Sequence, residues 1–315
     1  ISPSSSENAP FIAIEQAILP QTATKERRTD IYARYNLVAQ LAGALGGLAV
    51  TLPDLLHRFT GMASNDSVHI MFAVYAVLAL MTGVLFMNMS NAVEPEKTHP
   101  NRADDNSMDK PAPGPSTHRP IFPLQKSRGM VLRLAGLFAI DAFAGGLAVQ
   151  TILALWFHQR FGVSLSSLGL LFFGANLLAA ISLPVAAWLS RHIGLLNTMV
   201  FSHLPSNLLL MLVPLMPIFP LAALCLLCRQ ALSQMDVPTR QAYTMTLVAP
   251  EERTAAASFT TVARSVALSI SPLLSGVLLT GAGLSLGLPF LFAGGLKIIY
   301  DLSLFGVFRK VKLVT

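Results

Sequence analysis

Charge is what this 315-residue sequence has least of: only 12% of its residues are Asp, Glu, Lys or Arg. A water-soluble domain carries roughly 25%, so water is not the main solvent of this chain. Cysteine is nearly absent as well, with Cys225 and Cys228 the only two. They stand three apart inside an apolar run, where a disulfide has poor geometry and no strand-to-helix turn supports a redox pair. They read as small buried hydrophobes. The sequence has no Gly-rich loop ending in Lys and Ser or Thr, which argues against nucleotide binding and an ATP-driven pump. No His or Cys cluster has metal-ligand spacing, and no nucleophile, base and orienting group assemble into a catalytic set. The expectation is no cofactor, no metal and no enzyme. The single histidines His158, His192 and His203 read as interface or packing residues.

Hydrophobic length is what the sequence has instead. Apolar runs cover 33–52, 67–89, 130–157, 165–190, 195–216, 218–248, 254–280 and 285–308, behind a truncated one ending near Pro20. Each full run reaches about the 20 residues a helix needs to cross hydrocarbon. They are continuous and rich in Leu, Ala, Gly and Ile, unlike the alternating segments of about ten residues that build outer-membrane barrels. The fold class expected is therefore all-α, a polytopic transmembrane helical bundle with nine spans, the first partial. The opening at Ile1, with no signal peptide, reads as the interior of a longer chain. Residues 94–128 are charged, Pro-rich and poor in large apolar side chains, and cannot bury enough surface to order themselves. They divide the chain into the remainder of an amino-terminal bundle, 1–93, and a carboxyl-terminal six-helix bundle, 129–315.

The sequence pI near 9.6 invites a nucleic-acid reading, but topology explains it better. With the carboxyl terminus inside, the cytoplasmic segments hold sixteen Lys and Arg residues and the external loops only Arg58 and Arg160. That is the excess expected of cytoplasmic loops. No nucleic acid is expected as a partner; the lipid bilayer is.

Two places match without gaps. Glu15-Gln16-Ala17, then Glu26-Arg27-Arg28-Thr29, parallels Arg240-Gln241-Ala242, then Glu251-Glu252-Arg253-Thr254. Each is the end of one span, a cytoplasmic turn and the start of the next. Transporters are commonly built from two such related halves. The run from Asp236-Val237 through Pro238-Thr239-Arg240-Gln241 to Pro250-Glu251-Glu252-Arg253-Thr254-Ala255-Ala256 resembles the tenth and eleventh helices of major facilitator superfamily transporters. Ser2-Pro3, Glu7, Pro10-Phe11 and Glu15-Gln16-Ala17 are similar to the same family, as are Phe201 to Asn207 and Gly294 to Asp301. The resemblance implies two six-helix bundles, alternating access and a central cavity. It also implies that this chain holds the end of the fourth helix and the fifth to twelfth, without the first three. The loop Ser190-Arg191-His192-Ile193-Gly194 departs from the family pattern in lacking an acidic residue, which leaves a gating role for Arg191 unsupported.

Ionisable residues at bilayer depth are costly and face a cavity or a partner. At 100° per residue, Arg229, Ser233, Asp236, Arg240 and Tyr243 fall within about 80° on one helix surface. Gln230, Gln234 and Gln241 form a second stripe about 120° away on the same reading. The first stripe is either a wall of a translocation pathway or an ion-pair network in which Asp236 and Arg240, four apart, neutralise each other. Asp141 stands alone in its run beside Gly145-Gly146, which reads as a flexible site. It is either a desolvated carboxylate suited to proton coupling or one arm of a bridge to Arg264 or Arg229. Pro272 is expected to kink the helix that carries Arg264. Lys297 and Asp301 read as an intrahelical pair near the inner interface.

Asn36, Gln40, Gly43 and Gly47 share a face within about 60°. The glycines form a small-xxx-small pair suited to close packing. The amides either line the pathway or bond the neighbouring helix. Glu7 and Glu15 are the acidic candidates of the amino-terminal half, with Glu15 at the repeat position of Arg240. The function expected is secondary active transport of a small-molecule solute; coupling to protons, an outward direction and a bacterial cytoplasmic membrane are what the resemblance implies. A monomer is expected. The alternatives are a non-transporting sensor or a membrane-embedded enzyme on the same scaffold.

Overall fold

The computed structural model describes residues 28–49, 51–61, 64–87, 127–248, 252–278 and 287–310. The truncated first run and the hydrophilic linker lie outside them, as do Glu7 and Glu15. The elements are α1 (Arg28–Ala49), α2 (Leu52–Thr60), α3 (Ser64–Met87), α4 (Arg128–Leu147), α5 (Gln150–Phe161), α6 (Leu165–Ile193), α7 (Leu195–Leu212), a 3-10 turn (Val213–Leu215), α8 (Phe219–Ser233), α9 (Asp236–Leu247), α10 (Arg253–Leu278) and α11 (Leu288–Phe308). Among the described residues every regular element is helical, as the continuous apolar runs require. Two compact units are formed, one of residues 1–54 and 124–315, the other of residues 55–123.

Among the described residues, five helical stretches are long and apolar enough to cross a membrane: Arg128–Phe161, Leu165–Ile193, Leu195–Leu215, Arg253–Leu278 and Leu288–Phe308. A shorter apolar stretch, His69–Val84, lies within α3. The run expected at 218–248 is not among the five, and it is broken. Pro238 has no N–H to donate and its ring clashes with the carbonyl four residues back, which belongs to Gln234. There the chain leaves α8 through short turns, Met235 N donating to the Leu232 carbonyl and Val237 N to that of Gln234, both at 3.3 Å. The run 130–157 is likewise divided at Ala148 and Val149, where Val149 is extended with ψ 157°.

Close helix contacts rest on small residues. A Cβ on Gly47 would lie 3.3 Å from the Phe173 backbone nitrogen, so α1 meets α6 backbone to backbone. This is the packing role expected of the small-xxx-small pair. Gly146 differs from its reading as a flexible point. A Cβ there would come within 2.6 Å of the Ser271 side chain, and Ser271 Oγ donates to the Phe143 carbonyl at 2.6 Å. Gly146 thus lets α4 and α10 approach.

Two large apolar clusters lie in the larger unit, beside a small one of Ala33, Leu183 and Ala187. One gathers Leu147, Trp156, Phe157, Leu210, Leu226 and Phe290, with Trp156 edge-on to Phe157, Phe161 and Phe290 at 5.0–5.5 Å between centroids. The other gathers Phe138, Met199, Tyr243, Tyr300, Leu304 and Phe308. The switch from one cluster to the other falls at a charged or polar residue in three helices. In α4, Phe138 belongs to the second cluster, Leu147 to the first, and Asp141 lies between them. In α7 it is His203, ninth of 18 residues; in α11 it is Lys297, tenth of 21. A polar layer crosses the middle of these helices.

Candidate functional site

Asp141 is the hub of that layer. It is 3% exposed, yet it is not the solitary carboxylate its run suggests. Arg240 Nη1 from α9 donates to its Oδ2 at 3.2 Å, and Arg264 Nη1 from α10 donates to the same oxygen at 3.0 Å. Lys297 Nζ from α11 donates to Oδ1. One carboxylate therefore ties four helices together. Arg240 also donates to Asp236 Oδ2 at 2.6 Å, and its guanidinium lies over the Phe138 ring at 5.6 Å. Asp236 and Arg240 are paired, as their spacing allows, and both line a cavity.

The pairing of Lys297 with Asp301 is corrected. Lys297 turns to Asp141, and Asp301 accepts from Asn207 Nδ2 at 2.8 Å and lies 2.9 Å from His203 Nδ1. Residues four apart share one face of a helix, but α11 packs against both α4 and α7, so each side chain of the pair finds a partner on a different neighbour. His203, read as a packing residue, is a buried hydrogen-bonding group.

A cavity of about 300 Å³ opens onto this layer. Asp141, Arg229, Ser233, Asp236, Arg240 and Arg264 all line it. So do Lys297, Gln150 and Asn176, none of which was singled out for a pathway. Gln230 and Gln234, assigned above to a separate stripe, line it too; Gln230 shares the unbroken α8 with Arg229 and Ser233, and Gln234 stands at its end. Arg229 Nη1 donates to Gln230 Oε1 at 2.9 Å, and Ser233 Oγ donates to the same oxygen at 3.3 Å. Arg229 Nε is buried with no acceptor.

Asn36 and Gln40 do not line this cavity. Asn36 Nδ2 instead bonds the neighbour, donating to Gln241 Oε1 of α9 at 2.9 Å. Gln40 is half-buried on the same helix. Arg191, at the end of α6, donates to Asp30 of α1 at 3.2 Å, a partner the sequence pattern did not indicate. Among the described residues no group of three or more His, Cys, Asp or Glu could hold a metal ion.

Long apolar helices around a charged, cavity-facing layer define an integral membrane protein built to carry polar chemistry through a bilayer. The comparisons with known proteins agree. Residues 8–235 match the family model of the Major Facilitator Superfamily, and the chain belongs to that superfamily. A protein of Saccharomyces cerevisiae described as an uncharacterized membrane protein is 27% identical over 332 aligned residues, covering 99% of this chain and 73% of the yeast protein. Family membership makes this a membrane transport protein for a small-molecule solute. The matched stretch includes Asp141, Arg229 and Ser233, while Asp236, Arg240, Arg264 and Lys297 lie beyond it.

Proposed function

We propose that the protein is a secondary active transporter that moves its solute through the cavity at the charged layer by alternating access, with proton exchange driving efflux. The observation that carries this reading is Asp141, one carboxylate shared by three cations from three other helices at the wall of that cavity. Buried ion pairs are poor devices for stability alone, because desolvation offsets much of their attraction. They are good devices for a site that must rearrange. A proton or a solute that takes one of these partners changes which helices the hub holds together. On this reading Asp141, Arg240 and Arg264 act in the transport pathway, with Arg229, Ser233 and Asp236 beside them on the cavity wall. The excess of Lys and Arg on one side supports a cytoplasmic carboxyl terminus, and a monomer suffices for the cycle.

Reconstitution into proteoliposomes tests it. An imposed pH gradient should drive uptake or release of a compound from a mixed panel, and protons should move with it. Flux that ignores the gradient removes the proton coupling. A compound that binds while nothing moves under any gradient favours a sensor instead.

A further inference from the structure

We infer that the solute is a small organic anion, held through a carboxylate or phosphate group by Arg229 and the cations around Asp141. This deepens the transport reading and rests on it for the solute being carried and not merely bound.

The argument is one of unmatched charge. Four cationic side chains line the cavity, Arg229, Arg240, Arg264 and Lys297, against two carboxylates, Asp141 and Asp236. Asp236 pairs with Arg240, and Asp141 is divided among Arg240, Arg264 and Lys297. The nearby Asp301 is engaged by His203 and Asn207. Among the described residues no carboxylate remains in the cavity wall for Arg229. Its side chain meets the neutral amide of Gln230, and its Nε is buried without an acceptor.

Arg229 is half-buried on the cavity wall, where a cation without a counter-charge is costly, so the wall formed by the described residues carries a surplus of positive charge. An anion offsets it; a cationic solute would make it worse. The guanidinium fork suits bidentate recognition of a carboxylate or phosphate. Gln150, Asn176 and Gln234 add neutral hydrogen-bonding groups to the wall, which fits a polar body more than a greasy one. The volume lies at the small end of ligand cavities, which run from roughly 300 to 1,000 Å³.

The test separates binding from transport. Purified protein in detergent is heated with succinate, citrate, glucose 6-phosphate, inorganic phosphate, glucose or choline, and the shift in unfolding temperature gives apparent affinity. At least one anion should stabilise the protein and outcompete both glucose and choline, and the split between carboxylates and phosphates names the group. Arg229→Gln should weaken that binding by about tenfold or more, the loss of one charge-assisted contact pair. Arg229→Lys should keep part of it. If Arg229→Gln does not fold, competition on the parent protein still decides.

Stabilisation by glucose or choline without any by anions overturns the proposal. So does an Arg229→Gln variant that folds and binds anions as tightly as the parent, and so does the absence of binding by every anion. Counterflow in proteoliposomes then distinguishes the two readings. An anion that binds but never moves defeats transport and leaves the anion site standing. Glucose or choline that moves while no anion binds does the reverse.

Discussion

Helices α3 and α4 are both apolar, both long, and hydrophobic on every side, yet their surroundings differ. From His69 to its end α3 has no charged residue, and within its own unit it carries exposed large side chains such as Leu80 and Met87. Along α4, Val131, Leu134, Phe138 and Leu147 are buried, and at their centre sits Asp141. Periodicity does not separate the two, because neither has a polar stripe. The carboxylate does. In hydrocarbon a helix with nothing to hide leaves its apolar surface to lipid, while one that carries a charge must be enclosed by partners that match it. A single ionisable residue thus says more about a membrane helix's neighbours than twenty apolar ones.

The largest effect should come from breaking what sets α4 apart. Asp141→Asn leaves Arg240, Lys297 and the partly exposed Arg264 around a neutral amide, and stranding buried charges costs about 3–5 kcal/mol. Loss of folded protein on gel filtration and a much lower unfolding temperature in detergent are the expected readouts. A variant as stable as the parent would mean that the cations find other counter-charges.

The converse experiment places a charge on α3. Leu80→Lys near the middle of that helix should cost about 2.5–3.5 kcal/mol of membrane insertion, measured with the segment in an insertion reporter in intact membranes. Unimpaired insertion would show that Leu80 faces protein or water, and the contrast with α4 would fall. Next in size is packing. Gly146→Val drives a side chain into Ser271 and should destabilise by about 1–3 kcal/mol. Gly83→Val on α3, where an added Cβ meets nothing within 4 Å, should stay within about 0.5 kcal/mol. Equal melting temperatures for the two variants would remove the close α4–α10 approach from the account.

The same contrast explains how far the sequence can be read. Spans and fold class follow from run length, since hydrocarbon accepts few alternatives to a helix. The candidates Arg229, Ser233, Asp236, Arg240, Asp141 and Arg264 stand out because each is expensive where it lies, and one cavity collects them. The partners are less legible. Lys297 and Asp301 satisfy the spacing rule for an intrahelical pair, but that rule presumes a helix with solvent around it; inside a bundle each side chain answers to a different neighbour. The break at Gln234 could be read from Pro238, whereas nothing comparable marks the one at Val149. Asn36 carries no sign of whether it faces a cavity or Gln241, because an amide satisfies either.

The smallest effect is expected at the edge of the larger unit, where Arg191 of α6 reaches Asp30 of α1 at 3.2 Å. Its side chain is 56% exposed and that of Asp30 28%, so water screens the pair and each long side chain loses freedom in forming it. Exposed pairs of this kind contribute about 0–1 kcal/mol. Arg191→Ala, Asp30→Ala and the double variant, unfolded thermally in detergent, should yield a coupling within that range that fades further in high salt. The Asp141 hub should respond far less to salt, because Asp141, Arg240 and Lys297 are enclosed. A coupling at Arg191–Asp30 as large as the loss at Asp141, or one indifferent to salt, would show that exposure does not separate strong ion pairs from weak ones here. The difference between enclosed and open helices would then have to rest on packing alone.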